Sequence, residues 1–252
     1  MSSKAPILAT RDLGLDIGGA HIVADVSLEV REGELVGIIG PNGAGKTTLF
    51  NLLSGTVRPT AGKIVLDGRD VTGMPPYRRT QAGLGRSFQV SSVFPLLTVS
   101  ENVRLAAEAR LGGSLSVVRR AARFRPALER AASALERVGL AGRSGWPAGM
   151  LSHGDKRKLE IAMLLAAEPR VILLDEPMAG VSAEDVGGLV EVIRAVHEEG
   201  RTVLLVEHRM EVVVGLAQRI AVMHHGALLA FDTPERVMAD QTVQTAYLGE
   251  PL

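Results

Sequence analysis

A glycine-rich stretch, Gly40–Thr48, is the feature that most restricts how this chain can fold. It matches the pattern G-x-x-x-x-G-K-[ST], in which glycines let consecutive backbone N–H groups wrap closely round a polyphosphate. The compact apolar run Glu34–Ile39 precedes it, and apolar residues at helical spacing follow over Lys46–Leu53. A helix that begins at Lys46 presents the positive end of its dipole to a bound anion. The stretch therefore predicts a strand, a phosphate-binding loop and a helix in succession.

Every residue of this stretch is a candidate for contact with the phosphates. The candidates are Gly40, Pro41, Asn42, Gly43, Ala44, Gly45, Lys46, Thr47 and Thr48. The Lys46 ammonium supplies a point charge between the outer phosphates, and the Thr47 hydroxyl is a candidate Mg²⁺ ligand. The pattern recurs by chance in other glycine-rich loops, but its position between a strand and a helix favours phosphate binding over a plain turn.

Two adjacent carboxylates, Asp175 and Glu176, follow the apolar run Val171–Leu174. A buried strand would bring them to the carboxyl edge of a sheet, where the phosphate loop also opens. There Asp175 would hold Mg²⁺ through water, and Glu176 would polarise or deprotonate the attacking water. Alone, such a pair is usually a solvated strand end. The phosphate loop upstream makes catalysis the better interpretation.

The remaining pattern alternates strands with helices, which predicts an α/β fold with a largely parallel, doubly wound sheet. Two half-buried strands are predicted at Leu8–Leu15 and Val23–Val30. Ser182 is predicted to cap a helix that ends near Gly200, and Pro234 is predicted to begin a final helix.

Between residues 98 and 148 the chain is rich in Ala, Arg and Leu and poor in β-branched residues. Thr98 and Glu101 fit a capping box at the start of a helix, and Gly139 fits a helix C-terminal stop. We expect one domain over residues 1–252, with a core at about 1–90 and 168–252 and an inserted helical subdomain at about 91–167.

Composition excludes several classes of protein. Lys+Arg and Asp+Glu both total 28, and this zero formal net charge argues against a nucleic-acid partner. The chain has no cysteine, which excludes disulfides and Cys-ligated metal sites. No run approaches the roughly 18–20 apolar residues that cross a bilayer, and no signal peptide is recognisable at the N-terminus. We therefore expect an intracellular chain that reaches a membrane only through a partner.

A further segment precedes another predicted helix, Lys156 to Ala167. It consists of Leu151, Ser152, His153, Gly154 and Asp155. Ser152 suits the N-cap of that helix, and Gly154 permits close approach to a phosphate. Taken alone, simple helix capping explains this segment better than ligand binding.

Five motifs together resemble an ATP-binding-cassette (ABC) ATPase, and the resemblance spans nearly the whole chain. In order they are Gly40–Thr48, Gln89 after Phe88, Leu151–Asp155, Asp175 with Glu176, and His208 after Glu207. The family implies a P-loop NTPase fold with an N-terminal antiparallel β subdomain. It also implies a head-to-tail dimer that holds ATP between Gly40–Thr48 of one copy and the Ser152/Gly154 segment of the other. Gln89 would contact Mg²⁺, and His208 would contact the γ-phosphate and hold the geometry with Glu176.

Finer features are similar to the larger ATPase of branched-chain amino-acid importers, among them Gly85–Gln89, Ala179–Val181 and Ala246–Gly249. This resemblance implies transmembrane permease subunits, a second ABC ATPase subunit, an indirect link to a solute-binding protein, and a peripheral place on the cytoplasmic face of the inner membrane. Urea or short-amide importers, lipid exporters and soluble ABC ATPases stay open as alternatives. If the apolar run at 93–97 is exposed, it favours a membrane partner over the soluble alternative.

Four residues depart from the family pattern, and one of them is Ser182, which stands where many ABC domains carry an Asp in the loop that crosses the dimer interface. Ile17 replaces the aromatic expected to stack on adenine, a contact worth about 1–3 kcal/mol, so base selectivity is expected to loosen. His153 and Asp155 replace the usual Gly and Gln of their segment. Asp155 adds a negative charge near a phosphate, so weaker binding there is expected.

Overall fold

A computed structural model describes residues 5–87, 93–110 and 117–248. These residues form strands in two sheets, which confirms the predicted α/β class. The strands are β1 Leu8–Ile17, β2 Ala20–Val30, β3 Leu35–Ile39, β4 Ala61–Leu66, β5 Arg69–Asp70, β6 Leu84–Arg86, β7 Val171–Asp175, β8 Thr202–Val206, β9 Arg219–His224 and β10 Ala227–Asp232.

The smaller sheet has the strand order β2-β1-β4-β5 and is antiparallel throughout. It confirms the antiparallel β subdomain that the family resemblance implies. Asp67 and Gly68 connect β4 to β5 with positive φ at both residues, as a tight hairpin turn requires.

The larger sheet has the order β10-β9-β3-β8-β7-β6. All neighbours in it are parallel except β9 and β10. Because β3, β8 and β7 are consecutive and parallel, their carboxyl ends open at one edge of the sheet.

Helices cover this sheet and fill the segment between β6 and β7. They are α1 Lys46–Ser54, α2 Pro76–Gln81, α3 Val99–Arg110, α4 Val117–Arg137, α5 His153–Ala166, α6 Ala183–Glu198, α7 Met210–Leu216, α8 Pro234–Ala239 and α9 Gln241–Leu248. Among the described residues, no helix has the length and apolar character needed to cross a membrane.

Two helix signals predicted between residues 98 and 148 are confirmed. The Thr98 hydroxyl accepts a hydrogen bond from Glu101 N (3.1 Å), and the Glu101 carboxylate accepts one from Thr98 N (2.8 Å). Helix α4 ends before Gly139, whose φ of 73° is unfavourable for other residues.

Two helix boundaries differ from prediction. Helix α5 begins at His153 rather than Lys156, because the Ser152 hydroxyl accepts from Asp155 N (3.1 Å) and places the cap earlier. The helix at Pro234 is not the last one. It stops at Asp240, whose carboxylate accepts from Thr242 N (2.7 Å) and Val243 N (3.3 Å) and so starts α9.

The central strands β3, β7 and β8 of the larger sheet are buried on both faces. Alternate residues of β3 point to opposite sides: Leu35 and Ile39 pack with the helical segment, whereas Val36 and Ile38 pack with α1 and the smaller sheet. This two-sided burial explains why the residues of β3, β7 and β8 are apolar except for Asp175 and Thr202, and it fixes the loops that follow these strands.

Candidate functional site

The loop after β3 is built for close backbone packing. Gly40 has φ 153°, and a Cβ atom there would lie 2.2 Å from the carbonyl oxygen of Met223, so only glycine fits. Gly45 precedes the first residue of α1 with φ 96°. The loop therefore places the N-terminus of α1 at the carboxyl edge of the larger sheet, as predicted.

Lys46 folds back over this loop. Its Nζ donates to the carbonyls of Gly40 (2.6 Å) and Pro41 (2.9 Å). Burial lowers the pKa of the Lys46 ammonium, and the nearby charges of Glu176 and Asp175 oppose that shift. Among the described residues, the buried ammonium is held by carbonyls and has no full counter-charge at hydrogen-bond distance, so this position favours an anion.

Asp175 lies at the end of β7 and is 1% exposed. Its Oδ2 accepts from Arg86 Nη2 at 3.0 Å, while Arg86 Nη1 donates to Asn51 Oδ1 (2.7 Å) and Ser54 Oγ (2.8 Å) on α1. Burial raises the pKa of Asp175, and the hydrogen bond and charge of Arg86 oppose the increase. Arg86 thus connects this carboxylate to the helix that follows the phosphate loop.

The second oxygen of the Asp175 carboxylate, Oδ1, fits a cation site. Asp175 Oδ1 is buried without a hydrogen-bond partner among the described residues. Such an oxygen suits a water of the Mg²⁺ shell, since Mg²⁺ is usually held by one or two carboxylates plus substrate phosphates. The described residues contain no cluster of three or more His, Asp or Glu side chains that would form a separate metal cage.

Glu176 and His208 form a pair across neighbouring loops. His208 Nε2 donates to Glu176 Oε1 at 2.9 Å, and both side chains are partly exposed. Glu176 has φ 49°, an uncommon conformation for a residue with a side chain, and its N–H donates to Val206 O at 2.9 Å. A strained, partly exposed carboxylate beside a histidine is suited to orienting and deprotonating a water.

The segment Leu151–Asp155 lies at the start of α5. Leu151 is buried, Ser152 and His153 are exposed, and Gly154 is so close to Asp185 that a Cβ atom there would lie 2.9 Å from the Asp185 side chain. Ser152 is the cap of α5, so the capping explanation holds alongside any ligand role.

The negative charge of Asp155 has a partner that the sequence did not indicate. Arg143 Nη1 bonds the Asp155 carboxylate, and the Arg143 guanidinium lies 5.5 Å from the centre of the Trp146 ring. This ion pair offsets the charge that motivated the expectation of weaker binding.

The structure brings some predicted residues together and leaves others apart. The carboxyl ends of the adjacent strands β3, β7 and β8 bring four parts of the predicted site together. Gly40–Thr48 follows β3, Asp175 ends β7 and is followed by Glu176, and His208 lies after β8. Ile17 ends β1 in the other sheet and is 59% exposed. Gln89 lies outside the described residues.

Three residues of the site were missed by sequence reasoning: Arg86, Arg143 and Glu207. Glu207 is a buried acid directly after the apolar strand β8, which is the same signal that marked Asp175. Arg86 and Arg143 had no such signal, because their partners lie 89 and 12 positions away.

Comparisons with known proteins agree with this geometry. A family model described as "ABC transporter" matches residues 23–179. The chain is 41% identical to the high-affinity branched-chain amino acid transport ATP-binding protein LivG of Salmonella typhimurium, over 97% of this chain and 98% of the relative. It is 38% identical to the lipopolysaccharide export system ATP-binding protein LptB of Haemophilus influenzae, over 97% and 98% of the two chains.

A solved structure gives the same architecture. The ADP conformation of MJ1267, an ATP-binding cassette of an ABC transporter, superposes with a TM-score of 0.85 at 28% identity, covering 98% of this chain and 100% of that chain.

Proposed function

Since this chain belongs to the ABC transporter family, whose nucleotide-binding domains hydrolyse ATP, we propose that it powers import of branched-chain amino acids through separate permease subunits. The observation that carries the site assignment is the 2.9 Å contact between Glu176 and His208 at the sheet edge where the phosphate loop also opens.

Gly40–Thr48 binds the phosphates of ATP in this proposal. The loop N–H groups and the N-terminus of α1 supply donors, and Lys46 leaves its carbonyl partners to bridge the outer phosphates. Thr47, Asp175 and Gln89 would hold Mg²⁺, which would neutralise charge on the phosphates. Asp175 fits this role because one of its buried oxygens is unpaired among the described residues.

Glu176 then orients a water for attack on the γ-phosphate and accepts the proton of that water, while the bond between the γ-phosphate and the leaving ADP breaks. His208 contacts the same phosphate and keeps the Glu176 carboxylate in place through the observed hydrogen bond. Ile17 lies beside the adenine and supplies apolar contact without ring stacking.

The other half of each ATP site comes from a second ATPase subunit. The signature segment closes over the γ-phosphate of the ATP that the partner copy binds. This segment consists of Leu151, Ser152, His153, Gly154 and Asp155. The exposed hydroxyl of Ser152 and the N-terminus of α5 are available for that contact. The Arg143–Asp155 ion pair keeps the segment close to neutral.

A groove beside the site suits a permease helix. Its cavity volume is about 280 Å³, and it lies between α2, β6, α3 and α5, with Leu84, Ala106, Met163 and Leu164 in its lining. Arg86, the partner of Asp175, lines the same groove. A permease helix in this groove would contact Arg86, which is hydrogen-bonded to Asp175 at the carboxyl edge of the larger sheet.

Phe94, Pro95 and Leu96 of the nearby apolar run are exposed, whereas Val93 and Leu97 are half-buried and Val93 packs against the core. Leu96 is 93% exposed and Phe94 is 55% exposed, which is the outcome that favours a membrane partner over a soluble ABC ATPase. The chain would then sit peripherally on the cytoplasmic face of the inner membrane, with an indirect link to a solute-binding protein.

The test is capture of partners by a trapped dimer. Tagged Glu176→Gln is expressed in the native organism, supplied with ATP and purified from gently solubilised membranes. Lys46→Ala serves as the matched variant with weakened ATP binding, supplied with ATP at a concentration below its raised Kd. We expect two amino-acid permease chains with the first variant and far less with the second. Permeases for lipid export would favour an LptB-like role, and soluble proteins alone would contradict a transport role.

Uptake of radiolabelled leucine tests the solute. A deletion strain should lose uptake, and the wild-type gene should restore it while Glu176→Gln should not. Normal leucine uptake in the deletion strain would reject this solute class, and urea or short amides would be tested next.

A further inference from the structure

Glu207 is a buried carboxylate directly before His208. It is 3% exposed, and its Oε1 accepts from Met178 N at 2.7 Å while its Oε2 accepts from His208 N at 3.1 Å. Neither donor belongs to a strand or helix, so the side chain fixes backbone in two loops at once.

Those two loops present the Glu176–His208 pair. Met178 lies two residues after Glu176, in a turn where Ala179 N donates to Glu176 O at 3.0 Å. Glu176 N also donates to Val206 O, the residue before Glu207. The side-chain contact between Glu176 and His208 therefore closes a ring of hydrogen bonds in which Glu207 joins the two backbones.

We infer that Glu207 is a positioning residue for ATP hydrolysis, which holds the turn bearing Glu176 and the backbone of His208 in the arrangement that keeps their side chains in contact. This inference rests on the roles proposed above for Glu176 and His208.

The cost of burying a carboxylate supports a specific role. Burial of an acid is unfavourable unless the acid is hydrogen-bonded, and every residue of strand β8, which precedes Glu207, is buried. The bonds that Glu207 makes are confined to residues beside the pair. Catalytic groups must be held within about 0.5 Å of a productive geometry, so loosening either loop is expected to affect turnover.

Two variants test the inference, Glu207→Ala and Glu207→Gln, with kcat and KM for ATP measured well below each melting temperature. Glu207→Ala removes both acceptors, and we expect kcat to fall roughly 10- to 100-fold. Because the phosphate loop is untouched, KM should change by less than about twofold. Glu207→Gln retains one acceptor oxygen, so its kcat should lie between those of wild type and Glu207→Ala.

The matched control is Glu34→Gln. Glu34 is also buried and also accepts from a backbone N–H, that of Arg31 at 2.8 Å, but it lies at the opposite end of the sheet. The Glu34→Gln substitution should lower the melting temperature of the protein without lowering kcat. An equal fall in kcat for Glu34→Gln and Glu207→Gln would overturn the inference, because general loosening would then explain both.

His208→Ala, measured in parallel, separates this inference from the proposed site. Wild-type turnover in His208→Ala would overturn the site assignment and the inference together. Loss of turnover in His208→Ala with wild-type kcat in Glu207→Ala would overturn the inference alone. If Glu207→Ala does not fold, the isosteric Glu207→Gln decides, and wild-type kcat in it overturns the inference.

Discussion

The carboxyl edge of the larger sheet and the start of α5 are organised in different ways. At the sheet edge, Lys46, Asp175 and Glu176 follow buried apolar strands, and their positions are fixed by the sheet itself. At the start of α5, Ser152 and Asp155 are held by a helix cap and by one ion pair with Arg143. The first region has a rigid support, whereas the second depends on a few local polar contacts.

This difference indicates how each region should respond to substitution. In the proposed function the groups at the sheet edge contact ATP, so changes there should abolish single steps of hydrolysis. Changes at α5 alter the charge and shape of a surface that needs a second subunit, so they should weaken an association by smaller factors.

The largest effect is expected at Glu176. Glu176→Gln removes the base while preserving the volume and the contact with His208, so steady-state hydrolysis should fall by at least about 10²-fold. Binding of ATP, measured with a fluorescent analogue, should stay within about twofold of wild type. Normal turnover would remove Glu176 from the mechanism.

Lys46→Ala should instead act on binding. Loss of a charged hydrogen-bond donor costs about 2 kcal/mol, which is roughly a 30-fold weaker Kd for ATP. The matched control is Lys63→Ala, an exposed lysine in β4. Equal Kd values for the two variants would show that Lys46 does not reach the phosphates.

These two variants test the part of the site that the sequence predicted. Glycine spacing, apolar strands and terminal acids are local patterns in the sequence. Each pattern specifies the strand, loop or helix that holds a site residue. For this reason β3, β7, α1 and their loops were predictable. Arg86 and Arg143 were not, because an ion pair between distant positions leaves no periodic pattern. The early start of α5 was missed for a related reason, since a single hydroxyl bond decides it.

A smaller effect is expected at Ile17. Ile17→Tyr should add stacking on adenine worth about 1 kcal/mol, so ATP should bind roughly fivefold more tightly. The ratio of ATP to GTP affinity, measured in the same titrations, should rise. An unchanged Kd for ATP would place the adenine away from the end of β1.

The smallest effect is expected at Arg143. Arg143→Ala exposes the Asp155 charge to the partner's phosphate and should raise the KM for ATP by about threefold, since partly exposed ion pairs are worth up to about 1 kcal/mol. Adding Asp155→Asn should restore the wild-type KM by removing that charge. If the double variant keeps the raised KM, Arg143 acts through its packing on Trp146 instead.

In the proposed function, the carboxyl edge of the larger sheet and the start of α5 meet on ATP across two copies of the chain. Because the chain has no cysteine, Asn42→Cys and His153→Cys, both at exposed positions, can be introduced together in the Glu176→Gln protein as its only thiols. On mild oxidation in the presence of ATP, we predict that this protein forms a disulfide-linked dimer. The dimer should not form with ADP, and it should not form when Arg236→Cys replaces His153→Cys. Failure to form that ATP-dependent dimer, or equal cross-linking with Arg236→Cys, would contradict the account.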